Sequence, residues 1–173
     1  DAPAELIAES LYELKLKKGI RFQPHPAFAM NRYGQPEYLG KNIADGRQKI
    51  ADFPQAGTRE LVADDYIYQL KRLAHPRLHS PIFGMMADKI VGLKALGEDL
   101  GKAAKTLPTD GWLDLDAYPL SGVEKVDSHT WRIRLKGKYP QFLYWLAMPF
   151  FAPVPREVDR FYAQPGMAAK NLT

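Results

Sequence analysis

The sequence predicts an α+β fold, a small, mostly antiparallel sheet packed by helices. Three stretches predict it: residues 59–76 carry apolar side chains at helical spacing, residues 11–22 read as strand, turn and strand, and residues 123–135 read as two strands around a polar turn.

The helix is the best specified. Ala63, Ile67, Leu70 and Ala74 recur at steps of three or four, and Tyr66 and Leu73 widen the stripe. That makes an amphipathic helix whose Ile67 and Leu70 are expected to face the sheet. Asp64 and Asp65 lie in its first turn and Lys71 and Arg72 in its last. The helix dipole favours that order by roughly 0.3 to 1 kcal/mol per charge. Pro76 stops it. Val62 stands where a capping hydroxyl is usual, so Asp64 or a group elsewhere has to cover the free amides.

Apolar and polar side chains alternate strictly from Glu13 to Lys17, as in a half-buried strand, and Lys18 and Gly19 then turn the chain before Ile20, Arg21 and Phe22 resume an extended path. In residues 123–135, Trp131, Ile133 and Leu135 share one side and Arg132 and Arg134 the other, with a turn from Asp127 to Thr130. Residues 23–58 form a long link containing Pro24, Pro26, Pro36 and Pro54, of a length uncommon in a compact domain unless it carries structure or function. Within it, residues 37–50 fit either a short helix or an irregular arm. Residues 80–86 read as an apolar loop, 98–107 as a short exposed helix, and 109–116 as a turn and a strand. Residues 139–147 read as an apolar helix with Pro140 at its first position.

Composition narrows the function classes. The 173 residues suit one domain with one core, spanning 1–173. No apolar run approaches the roughly 18 residues of a membrane span. There is no Cys, so no thiol chemistry or disulfide framework. The net charge of +4 is dispersed, and its densest group, Lys15, Lys17, Lys18 and Arg21, suits the solvent face of a strand and turn better than a nucleic-acid track. Residues 1–5 have neither the basic nor the apolar region of a signal peptide.

No catalytic or metal constellation assembles, and no cofactor is expected. Ser80, Ser121 and Ser128 lack nucleophile-elbow glycines. Pro76 keeps His75 and His79 off one helix face. Asp110, Asp114 and Asp116 lack calcium-loop spacing. The adjacent Asp64 and Asp65 diverge by roughly 100 degrees on a helix.

The stretch from Ala63 to Leu73, ADDYIYQLKRL, resembles the "T-A-E/D-D-V-x-x-S-x-x-R" signature of the bacterial extracellular solute-binding proteins of family 5, the oligopeptide-, dipeptide- and nickel-binding receptors of ABC importers. YELKLKKGIRF resembles that family's strand, turn and strand, residues 122–135 its "G-V-x-x-x-D-x-x-T-v-x-i-x-L" hairpin, and residues 150–163 its "P-x-f-x-P-V-P-k" strand and following helix. The motifs stand in family order, with residues 23–58 as a long insertion.

The resemblance implies one lobe of a type II periplasmic-binding-protein-like receptor, a fragment of a longer chain. It would capture a peptide or similar solute outside the cytoplasmic membrane, periplasmic or membrane-associated, and deliver it to an ABC permease, without enzymatic chemistry. It also implies that Ile82, Phe83, Met85 and Met86 lie toward the ligand, where the family commonly has a Tyr. Met suits a promiscuous pocket; the blander reading, which the pattern favours, is that Phe83, Met85 and Met86 fill core. The alternative is a freestanding protein-interaction domain with a basic face.

Overall fold

Trp131, Ile133 and Leu135 project from the central strand of a three-stranded antiparallel sheet into the larger apolar core, the side their alternation with Arg132 and Arg134 predicts. The computed structural model describes residues 8–40, 43–109 and 111–167. Within these, the chain divides into two compact units, the first from residues up to 17, 62–108 and 113–153, the second from 18–61, 109–112 and 154 onward.

The first unit holds the sheet. β1 (Glu9–Lys15), β2 (Val123–Asp127) and β3 (Thr130–Lys136) lie in the order β1-β3-β2. Tyr12 opposes Ile133 and Leu14 opposes Trp131 on the inner face, while Glu13 opposes Arg132 on the outer one. Helices pack on this small antiparallel sheet, so the fold class is α+β. α1 (Ala63–Leu73) presents Ala63, Tyr68, Leu70 and Leu73 to the core and stacks Tyr66 on the Trp131 ring at 5.7 Å. Ile67 is only half-buried, but it packs against the same cluster. Gln69, unexpectedly, is buried as well. Its Nε2 donates to the Phe150 carbonyl at 2.7 Å, which removes most of the cost of burying an amide.

Several elements differ from expectation. Residues 80–86 are not a loop throughout, because α2 spans Phe83–Lys89. Ile82, Met86 and Ile90 recur every fourth residue and are buried, a helical period that Gly84 obscures. α3 runs over Leu93–Thr106, longer than the exposed helix expected from 98, and buries Leu93, Leu96 and Leu100. Of its two glycines, Gly97 has a packing reason, since a Cβ there would run into the Phe83 ring, whereas Gly101 faces open space. Residues 112–116 form no strand. Asp114 Oδ1 accepts from the Asp116 amide and caps a single 3-10 turn, Leu115–Ala117. Asp110 lies outside the described residues. The helix expected from Pro140 shortens to α4 (Phe142–Leu146), because the Phe142 amide donates to the Tyr139 carbonyl in a tight turn first. The strand expected near 150–155 is a 3-10 turn, Pro149–Phe151, that buries Phe151 against Phe142.

The second unit has an apolar core of its own, where length alone favours a single one. Residues 20–25 run antiparallel to 57–61 through bridges at Arg21–Glu60 and His25–Gly57. The intervening link is therefore structured. It makes 3-10 turns at Pro26–Phe28 and Ile50–Asp52 and buries Ala27, Tyr38 and Phe53 against Phe161 of α5 (Arg156–Tyr162). Tyr38 meets Phe53 edge-on at 5.1 Å, and Phe53 meets Phe161 at 5.2 Å. Such aromatic pairs add about 0.5 to 1.5 kcal/mol each beyond the area they bury.

Two substitutions test the larger core. Leu70→Ala, at a site 1% exposed, is expected to cost about 2 to 5 kcal/mol in urea melts; a loss under about 1 kcal/mol would show that this helix face is not buried. At Gly122 an added Cβ would lie 2.2 Å from the Val91 carbonyl oxygen, a backbone atom with little room to move. Gly122→Ala is expected to cost about 1 to 3 kcal/mol by overpacking, read in the same melts.

Candidate functional site

The candidate ligand residues divide sharply by exposure. Ile82 and Met86 are 6% and 0% exposed and belong to the first unit's core. Phe83 is half-buried and lays its ring against Gly97 of α3. Met85 alone is open, at 50%. The separation follows from the helix itself: adjacent residues turn through about 100 degrees, so Met85 and Met86 cannot share a face. A molecule arriving from solvent meets Met85 and the free edge of Phe83.

The polar groups singled out in the sequence perform folding tasks. Asp65 is buried, and its Oδ2 accepts from the Val62 amide at 2.9 Å. This is the reaching-back half of a capping box: it satisfies the amide of Val62 itself, not the amides of the first turn that a hydroxyl at 62 would accept from, and Val62 makes no side-chain cap. Asp64 is exposed and pairs with Lys125 at 2.6 Å. His79 has a positive φ of 48°, and His75 accepts from the Arg77 amide through Nδ1. Among the described residues no group of three or more His, Asp or Glu side chains could hold a metal ion. On the hairpin, Asp127 accepts from the His129 amide at 2.7 Å, and that bond, followed by contacts to Thr130, holds its carboxyl below the usual range.

The outer sheet face alternates in sign. Arg132 bonds Glu13 at 2.9 Å and reaches Glu124 at 3.6 Å, while Lys15 lies 3.4 Å from Glu13. Of Lys15, Lys17, Lys18 and Arg21, Lys15 joins these pairs, with a partner on its own strand; the cross-strand bonds belong to Arg132.

The second unit offers a groove of about 540 Å³, lined among others by Leu39, Ala44, Asp45, Arg160 and Gln164. Its walls are cross-linked. The Gly40 amide donates to Gln164 Oε1 at 2.8 Å, and Gln164 Nε2 donates to the carbonyls of Tyr38 and Phe161. No motif marks this groove, since its sides come from segments more than 100 residues apart. Asp45 beside a turn and Arg160 near the end of α5 were the available signals, and neither is distinctive.

Nearby in the same unit, Arg59 grips Glu157 with two bonds of 2.7 Å and lies over the rings of Phe22 and Phe28. The His25 Nδ1 accepts from the Ala27 amide, so Nε2 carries the proton toward Tyr162 Oη at 3.1 Å. Comparison with protein-family models, curated proteins and solved structures finds no match for the chain.

These two groups give the second unit an acid-side instability. Burial lowers the pKa of His25. Burial pushes Glu157 upward, but its bonds to Arg59, its own backbone amide and the neighbouring cations outweigh that and leave it lowered. In both cases the unfolded chain binds protons first as pH falls, so stability is full above the unfolded pKa and is lost on acidification through the folded one. His25 acts below about pH 6.5 and Glu157 below about pH 4.3. The melting temperature is expected to fall from about pH 7 to pH 3, and Glu157→Gln should start lower yet flatten the most acidic part. Parallel pH profiles of the two proteins would refute this.

Proposed function

We propose that this chain belongs to the substrate-binding component of an ABC importer, with a peptide as the solute and capture occurring outside the cytoplasmic membrane. The observation that supports this most is the order and placement of the resembling motifs. The strand motif falls on β1 and the turn after it, the signature helix on α1, the hairpin motif on β2 and β3, and the last motif ends on α5. A receptor of this kind binds by closing lobes around its solute, for which hinge motion between rigid bodies suffices.

Within that reading, Met85 is the position that touches ligand, helped by the exposed edge of Phe83, whereas Ile82 and Met86 hold α2 in place. A flexible thioether at the surface suits ligands with varied side chains. Partners would be the peptide and a membrane permease, with no cofactor.

The test uses the whole gene product in which these residues occur. A mixture of short peptides should raise its melting temperature, as any ligand selective for the folded state does; no rise with any peptide pool would sink the proposal. Met85→Ala should weaken peptide binding by about 1 to 2 kcal/mol through lost apolar contact, with the melting temperature unchanged. Met86→Ala should do the reverse, costing about 2 to 5 kcal/mol of stability while the folded fraction keeps its affinity.

A further inference from the structure

We propose that the face formed by α4 and the 3-10 turn after it rests on a membrane surface carrying anionic lipid, with its apolar side chains in the interface and neighbouring lysines against the head groups. Residues 139–155 are the longest stretch of the chain without a Lys, Arg, Asp or Glu. Much of that stretch is nevertheless at the surface: Leu143 is 57% exposed, Tyr144 79%, Met148 42% and Phe150 37%. The water-facing positions of a surface helix ordinarily carry polar side chains, and exposed apolar side chains gathered in one place mark an interaction surface. The base of the face is fixed. Phe142 and Phe151 meet edge-on at 5.9 Å inside the first unit's core, and the Phe150 carbonyl accepts from buried Gln69.

Charge separates the occupants such a face could take. Residues 128–156 are the longest stretch of the chain without Asp or Glu, and they hold Arg132, Arg134, Lys136, Lys138 and Arg156. Lys138, just before α4, is exposed, and Lys89 of α2 lies 5.1 Å over the Tyr139 ring. Among the described residues neither enters an ion pair. Lys136 is exposed too but stands opposite Glu9 across the sheet, and Asp88 is turned about 100 degrees from Lys89 around α2. A second copy seated on this face would bring the same cations to its rim, and like charges disfavour that pairing. Anionic head groups neutralise them instead, at a gain of about fivefold in affinity per lysine. The polar groups of the face are already satisfied, which leaves little for a folded protein partner to hydrogen-bond and suits a medium that offers no hydrogen bonds. Trp145 Nε1 donates to Tyr139 Oη at 2.7 Å, and the amides of Phe142, Tyr144, Trp145, Ala147, Met148 and Phe151 donate to carbonyls within the same stretch. Pro140 and Pro149 have no N–H to satisfy. Tyr and Trp rings, moreover, favour the level of the head groups. The inference does not rest on the receptor reading, since it involves neither a solute nor a permease.

The experiment is co-sedimentation of the full chain with vesicles of phosphatidylcholine alone and of phosphatidylcholine with about a third phosphatidylglycerol. The chain should bind the anionic vesicles, and the neutral ones about fivefold more weakly or worse. Leu143→Ser combined with Tyr144→Ser should lower binding to the anionic vesicles about tenfold or more. Lys138→Gln should lower it about fivefold, on the anionic vesicles alone. Leu11→Ser, at a site 59% exposed on the outer sheet face, should change nothing. All four altered side chains lie at the surface, so the melting temperature should hold throughout. No binding to the anionic vesicles, equal binding to both compositions, or binding that survives the loss of Leu143 and Tyr144 would overturn the proposal. So would a lipid-free dimer that the same double substitution turns into a monomer, because the face would then belong to a second copy. The comparison of the two compositions on the unaltered chain tests the proposal without any variant.

Discussion

The first turn of α1 is fastened to the β2–β3 hairpin, and the first unit is arranged around that attachment. The Ala63 amide donates to the Ser128 carbonyl at 2.8 Å, Tyr66 stacks on Trp131, and Lys125 pairs with Asp64. These contacts are unequal. The exposed ion pair contributes at most about 1 kcal/mol, whereas burying a ring the size of Trp131 contributes several times more. The hairpin in turn fixes its neighbours. Val91, just after α2, donates to the Arg134 carbonyl at 3.1 Å, and Leu16, just after β1, donates to the His129 carbonyl at 2.7 Å. Because β3 is the central strand, a shift of one residue in its register would turn Trp131, Ile133 and Leu135 to water and detach each of these partners.

What was legible in the sequence follows from how local its cause is. β1, the hairpin and α1 were legible because a period of two or 3.6 and a turn chemistry are complete within a dozen residues. α2 and the first turn of α3 were not, because glycines inside them read as loop. Gly97 is there to admit the Phe83 ring, a cause that lies in another element. The link over residues 23–58 hid its structure for the same reason at longer range. Tyr38 and Phe53 are core only because Phe161 meets them. Of the candidate site, the apolar character of residues 82–86 was visible, but which of them faces water depends on the start of α2. The groove with Asp45 and Arg160 was not visible at all.

Charge shows the limit of composition as a guide to partners. A net charge of +4 invites a search for a basic face, yet the cross-strand register places Glu13 and Glu124 beside Arg132. Opposite charges directly across a sheet stabilise it modestly, and here they reduce the local field around Arg132.

The resembling motifs speak more strongly about architecture than about ligand, because the residues that carry them have folding work to do. Gly122 leaves room for the Val91 carbonyl, Asp127 and Thr130 shape the hairpin turn, and Asp65 holds the Val62 amide at the start of the helix that Asp64 ties to Lys125. Residues committed to assembling strand, helix and hairpin say little about what is bound. Selectivity has to come from side chains that the core does not demand. Met85 in the first unit and Asp45 and Arg160 in the second are exposed side chains outside the two apolar cores.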